Sequence, residues 1–356
     1  MAQRDRRQRR AAQSKANRAR RSAAARRRRR PRSRRERRRR TITWVAAIGL
    51  TVVLAGAAAA PLLFSTSSGT SPGSAPGLTA RTLLRLPAAS AVAEGGGVAY
   101  VTDDRRDLLV RFDPATGRVE GSVHLAGRPT AMVLHDGDLW VADMVDNQVV
   151  EVDPRSLHVV RSVTVPAGPS SLAVLGGHVW VTSAIADDIT SIDVRSGAVG
   201  TPVDVPDGAV RLAAGFGALW VSGTSDMLTY FVPASARVSV PRLEGITVGS
   251  GPIGVATGAG SVWVANARGG TVSQVDPNSL RVVRTLRVGG EPRSLAVAGG
   301  HLYVGDGRAQ TVRSPYPAPA SQVLGIGTEP RALLAVGGSV WVAGADPGRV
   351  LSVSAR

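Results

Sequence analysis

Gly137-Asp138-Leu139-Trp140-Val141-Ala142-Asp143 is one copy of a motif that returns along the C-terminal three quarters of the 356-residue chain. Each copy places an apolar or small residue, an aromatic residue and a valine in succession. The copies are Ala99-Tyr100-Val101, Leu139-Trp140-Val141, Val179-Trp180-Val181, Leu219-Trp220-Val221, Val262-Trp263-Val264, Leu302-Tyr303-Val304 and Val340-Trp341-Val342.

The spacing of these copies predicts the architecture. Successive aromatic residues are separated by 40, 40, 40, 43, 40 and 38 positions. A repeat of this length is typical of one four-stranded blade of a β-propeller. The sequence therefore predicts an all-β fold, a seven-bladed β-propeller that forms one large domain rather than two ordinary ones.

One repeat unit contains four short strand patterns, labelled a to d in chain order. A Gly-Gly pair joins strands a and b, and a turn that begins with Asp joins strands c and d, at Asp113, Asp153, Asp193 and Asp276. Asp caps such turns through its side chain, so we interpret these residues as turn formers rather than as metal or catalytic groups. The aromatic residue of each strand b is expected to pack between blades rather than to stack on a ligand.

The ends of the array predict how the ring closes. The last unit shows strand patterns at residues 331–335, 339–343 and 349–353, and the chain then stops without a strand d. Residues 82–87 occupy a strand d position just before the first strand a. Pairing this N-terminal strand with the three C-terminal strands completes the seventh blade and removes two exposed sheet edges.

The positive charge of the chain is confined to its N-terminus. Residues 1–40 contain 20 Arg and Lys15 against Asp5 and Glu36, a net charge of +19, so the total of +18 leaves −1 for the rest. A segment of this composition cannot bury enough apolar surface to fold, which predicts a disordered tail. It acts either as a topology signal or as a patch for anionic lipid or nucleic acid.

Residues 41–64 form an uncharged run of 24 residues, long enough to cross a bilayer as a helix. Basic residues precede it and none follows immediately, which places the N-terminus in the cytoplasm and the repeats outside the cell membrane. A single-pass signal anchor is favoured, because the basic leader is much longer than that of an ordinary cleaved signal peptide, which is the alternative. Residues 65–79 are predicted to be a flexible Ser/Gly/Pro linker, and residues 80–356 the propeller.

The repeats resemble the YVTN-type propeller family, which is related to NHL-type propellers and to the virginiamycin B lyase fold. The resemblance rests on Gly-x-x-x-Leu-Ala-Val, Leu-Trp-Val-Ala-Asn/Asp and Val-Asp-Pro-x-Ser elements, clearest in residues 129–157 and 252–280. It implies that strand a of each blade is innermost. It also implies that a lyase of this kind would need His and Glu side chains near the central axis, together with Mg²⁺.

Loops on a rigid scaffold are the usual binding surface, so we expect a site on the face that carries the b–c turns and the links between blades. The candidates there are Asp143, Asn266 and Asp306. Three arginines at the starts of strand a, Arg211, Arg293 and Arg331, are expected to approach the mouth of the channel. They would bind an anion by bidentate hydrogen bonds; the alternative is pairing with Glu291, Glu329 or Asp207.

Two classes of function remain open on these residues. The first is a monomeric, membrane-anchored, extracytoplasmic binding, sensor or interaction module for a cell-envelope protein, a glycan or a small anion. The second is a lyase or hydrolase that acts on a small molecule. None of the five histidines occupies a predicted central position, no catalytic triad or metal-ligand spacing stands out, and the chain contains no cysteine, which favours binding without a metal or cofactor.

Overall fold

The computed structural model describes residues 77–205, 209–223, 225–232, 242–317 and 322–355, which form 28 strands. The first is β1 (Leu78–Arg85). Blade 1 follows with β2 (Ala89–Gly95), β3 (Val98–Asp103), β4 (Leu108–Phe112) and β5 (Val119–His124), and blade 2 with β6 (Pro129–His135), β7 (Asp138–Asp143), β8 (Gln148–Val152) and β9 (Val159–Thr164). Blade 3 has β10 (Pro169–Leu175), β11 (His178–Ser183), β12 (Asp188–Asp193) and β13 (Val203–Asp204), and blade 4 has β14 (Arg211–Gly215), β15 (Ala218–Ser222), β16 (Met227–Val232) and β17 (Arg242–Thr247). Blade 5 has β18 (Pro252–Gly258), β19 (Ser261–Asn266), β20 (Thr271–Asp276) and β21 (Arg281–Arg287), and blade 6 has β22 (Pro292–Ala298), β23 (His301–Asp306), β24 (Thr311–Tyr316) and β25 (Gln322–Gly325). Blade 7 has β26 (Pro330–Val336), β27 (Ser339–Ala345) and β28 (Gly348–Ala355).

The blades form a closed ring, as the repeat predicts. Each of the seven sheets has four antiparallel strands in the order a-b-c-d. The strands a of neighbouring blades contact one another around the whole ring, and β26 of blade 7 contacts β2 of blade 1. The structure therefore confirms a seven-bladed β-propeller with strand a innermost.

The predicted closure by one N-terminal and three C-terminal strands is confirmed. β1 pairs with β28, so that blade 7 has the strand order β1-β28-β27-β26. β1 spans Leu78–Arg85 and begins before the predicted start at residue 82. Of the four residues before that start, Leu78 is buried, Thr79 is half-buried, and Ala80 and Arg81 are exposed, and such a mixed, short segment gives little strand signal in the sequence.

The aromatic residue of each strand b lies in the core between blades, as predicted. These seven side chains are at most 7 % exposed. Trp140 of blade 2 packs with Val179 and Val181 of blade 3, and Trp341 of blade 7 packs with Ala99 and Val101 of blade 1. Strand b is buried on both faces by the neighbouring blades, which explains why its sequence is continuously apolar instead of alternating.

The aspartates between strands c and d cap their turns, as predicted. The Asp113 carboxylate accepts hydrogen bonds from the Ala115 N–H at 2.8 Å and from the Thr116 hydroxyl at 2.7 Å. The hydrogen bonds from Thr116 and Ala115 lower the pKa of Asp113. Asp153 makes the same contacts with Arg155 and Ser156.

Arginines of one blade bind the c–d turn of the next blade. Arg81 of β1 donates to the Pro114 and Ala115 carbonyls at 3.2 and 3.3 Å. Arg111 of blade 1 donates to the Pro154 and Arg155 carbonyls, and Arg161 of blade 2 donates to the Val194 and Arg195 carbonyls. These contacts join blades 7, 1, 2 and 3 in succession on the outer part of the ring.

The predicted basic tail and membrane helix, and most of the predicted linker, lie outside the described residues. Over the ranges that are described, the chain has no helix long and apolar enough to cross a membrane.

Candidate functional site

A cavity of about 180 Å³ lies in the central channel, and all seven strands a contribute to it. It is built from the first residues of these strands, on the face that carries the b–c turns. A β-bulge near the start of strand a, opposite the end of strand b, shifts the register in most blades. Bulges of this kind redirect side chains, and here they bring successive residues of strand a to the cavity wall.

The lining is arranged in levels, one residue from each blade at a level. The outermost level contributes Ser90, Thr130 and Arg331. The next, which we call the polar level, consists of Ala91, Ala131, Ser171, Arg211, Gly254, Ser294 and Ala332. Below it lies the apolar belt, Val92, Met132, Leu172, Leu212, Val255, Leu295 and Leu333, with Leu334 beside it. The cavity thus has a polar, cationic end and an apolar end.

Hydroxyl groups at the polar end are used to join blades. Ser90 donates to the Pro129 carbonyl at 2.9 Å, and Ser294 donates to the Pro330 carbonyl at 3.0 Å. Thr130 and Ser170 make the corresponding contacts with the Pro169 and Val210 carbonyls, both at 3.0 Å. These hydrogen bonds make the wall rigid, and the four carbonyl oxygens that accept them are already satisfied.

Gly254 of blade 5 occupies the position that Ser294 occupies in blade 6. The close approach of the neighbouring strand requires glycine at this position. A Cβ atom at this position would lie 2.5 Å from the Arg293 carbonyl oxygen. Any larger residue would therefore push blades 5 and 6 apart at the channel wall.

Arg211 is the cation at the polar level. Its Nη1 donates to the Ser170 carbonyl oxygen at 3.0 Å, and within the described ranges it has no carboxylate partner. The proposed partner Asp207 lies outside those ranges. Burial lowers the pKa of Arg211, and the nearby positive charge of Arg331 lowers it further. The guanidinium keeps its charge at neutral pH, because arginine is not deprotonated in proteins.

Arg331 also reaches the cavity, and its ion pair is with Asp104 rather than with the expected Glu329. Its Nη1 lies 2.5 Å from Asp104 Oδ2 in the b–c turn of blade 1. The same oxygen lies 3.3 Å from Nη2 of Arg128, which precedes blade 2. One carboxylate, 5 % exposed, therefore serves two guanidinium groups from blades 7 and 2 across blade 1.

Arg293 forms an ion pair with Glu291, which is the alternative that the sequence left open. Its Nη2 lies 2.5 Å from Glu291 Oε1, on the link that leads into its own strand. It stands at the outermost level and is not part of the cavity lining. Among the three candidate arginines, the structure brings Arg211 and Arg331 together and leaves Arg293 at the rim.

The other three candidates, Asp143, Asn266 and Asp306, are almost completely buried at the ends of strands b. Asp143 accepts hydrogen bonds from the Val145 and Asp146 N–H groups of its own b–c turn, at 3.1 and 3.2 Å. Asp306 caps the turn of blade 6 in the same way, and Asn266 donates to two hydroxyl groups of β20. Their hydrogen bonds are with their own blade or its flanking segments, not with the cavity wall.

The histidines lie away from the channel. His178 and His301 begin strands b on the opposite face, His135 ends β6 on that face, and His124 and His158 are at the outer edge of the ring. Within the described part of the chain, no group of three or more His, Cys, Asp or Glu side chains is placed to hold a metal ion.

The sequence pattern missed Asp104 and the apolar belt. Asp104 gives no local signal, because its partner Arg331 is more than 220 residues away in the sequence. The belt gives no clear signal either, because the bulge near the start of strand a obscures which residues of different blades lie level. In the structure, Ser90-Ala91 of blade 1 are in register with Thr130-Ala131 of blade 2.

No protein-family model matches the chain, and no curated protein matches it. Several solved structures do match the chain. A catalytically inactive variant of virginiamycin B lyase from Staphylococcus aureus, with quinupristin, is 14 % identical, with a TM-score of 0.68 over 78 % of this chain and 99 % of that one. The RRP9 WD40 repeats are 10 % identical, with a TM-score of 0.66 over 78 % and 97 %. Hydrazine synthase of Kuenenia stuttgartiensis is 15 % identical, with a TM-score of 0.59 over 76 % and 96 %. Identities this low show the fold alone: the chain is a seven-bladed β-propeller.

Proposed function

We propose that the chain is a membrane-anchored, extracytoplasmic binding module that holds its ligand at the b–c face of the propeller. The observation that carries the binding function is the cavity in the central channel, whose wall receives residues from every blade. Propellers of this kind serve both catalysis and scaffolding, so the fold does not decide between these functions. The side chains around the cavity must decide.

The lining favours binding over catalysis. The residues that surround the cavity are apolar, small or hydroxyl-bearing, apart from two arginines, and they include neither a carboxylate nor an imidazole. Proton transfer in a lyase or hydrolase usually needs such a group within hydrogen-bond reach of the reacting atom. Arginine and hydroxyl groups are instead typical of recognition without chemistry.

The location outside the membrane is supported by charge and hydropathy. Twenty-one basic residues precede an uncharged segment of 24 residues, and the remaining chain has a net charge of −1. This asymmetry favours retention of the N-terminus in the cytoplasm. The tail would then lie at the anionic inner leaflet, where each basic residue adds about 1 kcal/mol to membrane association.

Topology can be measured directly, because the chain has no cysteine. Ala309→Cys introduces a thiol on an exposed b–c loop of blade 6, and Ser14→Cys introduces one in the tail. A membrane-impermeant maleimide applied to intact cells should label Ala309→Cys, whereas Ser14→Cys should be labelled only after lysis. Labelling of Ser14→Cys alone in intact cells would reverse the proposed orientation, and recovery of the chain in the soluble fraction would contradict the anchor.

A further inference from the structure

We infer that the cavity binds a small monocarboxylate with a compact apolar tail, the carboxylate on Arg211 and the tail on the apolar belt. This inference rests on the proposed binding function and names the class of ligand for it. Three features of the cavity carry it: the hydrogen-bonding state of Arg211, the charge at the polar end, and the shape and chemistry of the apolar end.

The first feature is the set of Arg211 donors that have no partner among the residues that the structure describes. A guanidinium group has five N–H donors, and one of them is bonded to the Ser170 carbonyl oxygen. The neighbouring hydroxyl groups of Ser90, Thr130 and Ser294 donate their own protons to carbonyl oxygens of adjacent blades. A carboxylate that enters the cavity would offer two acceptors in the bidentate geometry that arginine favours.

The second feature is the charge. Arg331 and Arg128 share the single negative charge of Asp104, and Arg211 has no carboxylate partner in the ranges described. The described groups at the polar end therefore carry a net positive charge, which favours an anionic ligand. A monoanion has less charge to desolvate beside the apolar belt than a dianion such as phosphate, and desolvation of charge is costly there.

The third feature is the apolar end. Seven apolar residues, one from each blade, line the cavity at the level next to Arg211. An apolar cavity of about 150 Å³ in another protein takes up benzene, so a cavity of about 180 Å³ suits a ligand of similar bulk. Branched-chain and aromatic monocarboxylates of up to about ten non-hydrogen atoms have this size and polarity.

The test is calorimetric titration of the full chain, purified in detergent, with isovalerate, with its neutral isostere isovaleramide, and with inorganic phosphate. We expect isovalerate to bind with a stoichiometry of one and Kd below about 1 mM. Isovaleramide should bind at least tenfold more weakly, because it cannot neutralise Arg211. Phosphate should bind more weakly than isovalerate, because it has no group for the belt.

Two arginine variants locate the site. Arg211→Gln should weaken isovalerate binding by about 10- to 100-fold, the range expected when hydrogen bonds to a charged group are lost. Arg308→Gln, at an exposed position on the b–c loop of blade 6, is the matched control and should leave Kd unchanged. Thermal unfolding of each variant without ligand checks that the ring is intact.

Each remaining outcome overturns the inference. Equal binding of isovalerate to Arg211→Gln places the carboxylate elsewhere. Equal binding of isovaleramide removes the role of charge, and tighter binding of phosphate removes the role of the belt. Absence of binding by an intact chain refutes the ligand class. None of these results bears on the maleimide labelling, so failure of the ligand assignment and failure of the membrane topology are separable.

Discussion

Arg211 is held in the channel at a cost in stability. It is a partly buried cation whose described contacts are with a carbonyl oxygen and with the repelling charge of Arg331. Replacing a poorly compensated buried charge by an apolar side chain of similar length is often neutral or stabilising. Arg211→Met should therefore raise the free energy of unfolding of the ligand-free protein by on the order of 1 kcal/mol, measured by urea denaturation.

The control for that measurement is Arg308→Met, on an exposed loop of the same face, which should change stability by less than about 0.5 kcal/mol. A loss of stability in Arg211→Met would indicate that Arg211 has a structural ion pair. A gain in stability together with a loss of ligand binding is the behaviour expected of a residue retained for function.

Asp188 makes the stability of blade 3 dependent on pH. Burial raises the pKa of the Asp188 carboxyl group, and the negative charge of Asp204, its pairing partner on β13, raises the pKa further. A hydrogen bond from Thr190 acts in the opposite direction and lowers the pKa. Because the pKa is higher in the folded state than the unfolded value of about 3.9, the folded protein binds more protons between these two values. The loss of stability caused by the ionised Asp188 carboxylate is therefore complete above the folded pKa and disappears as the pH falls towards the unfolded value of about 3.9.

Asp188→Asn should accordingly be more stable than the natural chain at pH 7, and the difference should shrink as the pH is lowered towards 4. Thermal unfolding at a series of pH values measures this difference, with Asp146→Asn on an exposed b–c turn as the control. The turn aspartates Asp113 and Asp153 have lowered pKa values and act in the opposite direction, but equally in both proteins. A difference that grows on acidification would contradict the assignment.

At the scale of strands and turns, arginine side chains join neighbouring blades on the outer part of the ring. Arg161 pairs with the buried carboxylate of Glu151, lies 5.3 Å from the centre of the Trp140 ring and donates to two carbonyl oxygens of blade 3. Burial raises the pKa of Glu151, and the hydrogen bond and charge of Arg161 lower it. Removal of the arginine would leave that carboxylate buried without a partner.

Arg161→Ala should therefore lower the free energy of unfolding by about 2 to 3 kcal/mol, somewhat less than for a fully buried pair because Arg161 is 27 % exposed. Arg118→Ala, which breaks an exposed pair with Glu120, is the matched control and should cost less than about 1 kcal/mol. The double variant Arg161→Met/Glu151→Gln should recover part of the loss. Equal effects of Arg161→Ala and Arg118→Ala would show that the contacts of Arg161 with Glu151 and blade 3 contribute little to stability.

The sequence predicts the turns but not these contacts. An Asp followed by Pro, Ser or Gly identifies a c–d turn locally, because the capping hydrogen bonds lie within three residues. The arginine that binds such a turn comes from strand c in blade 1 and from strand d in blade 2, and it precedes the turn by 43 or 33 residues. No single spacing connects donor and acceptor, so only the packed ring shows them.

At the scale of the whole molecule, the ring and its closure follow from the repeat, whereas the depth of the channel residues does not. An unpaired set of three strands at the C-terminus predicts a fourth from the N-terminus, because an open edge is unfavourable. Arg211 and Arg331 lie at different levels because a bulge and the register of each strand a decide which residue faces the cavity. Single-residue shifts of this kind leave no periodic signal in one sequence.

The closure can be locked covalently. Thr79 of β1 and Ser354 of β28 are paired, and their hydroxyl oxygens lie 3.4 Å apart. Thr79→Cys/Ser354→Cys should form a disulfide under mild oxidation and raise the free energy of unfolding by about 4 kcal/mol, since the cross-link closes a very long loop. Mass spectrometry and thermal unfolding with and without reductant measure this. Failure of the thiols to join in the folded protein would contradict the pairing of β1 with β28.

We expect the ring to enclose a small monocarboxylate on Arg211. Crystal structures of the full chain grown with isovalerate and with isovaleramide are the decisive test. We predict branched density in the channel of the first crystal, with two oxygen atoms within hydrogen-bond distance of the Arg211 guanidinium and the methyl groups on the belt, and an unoccupied cavity in the second. An empty channel in both crystals, or isovalerate bound away from Arg211, would contradict the claim.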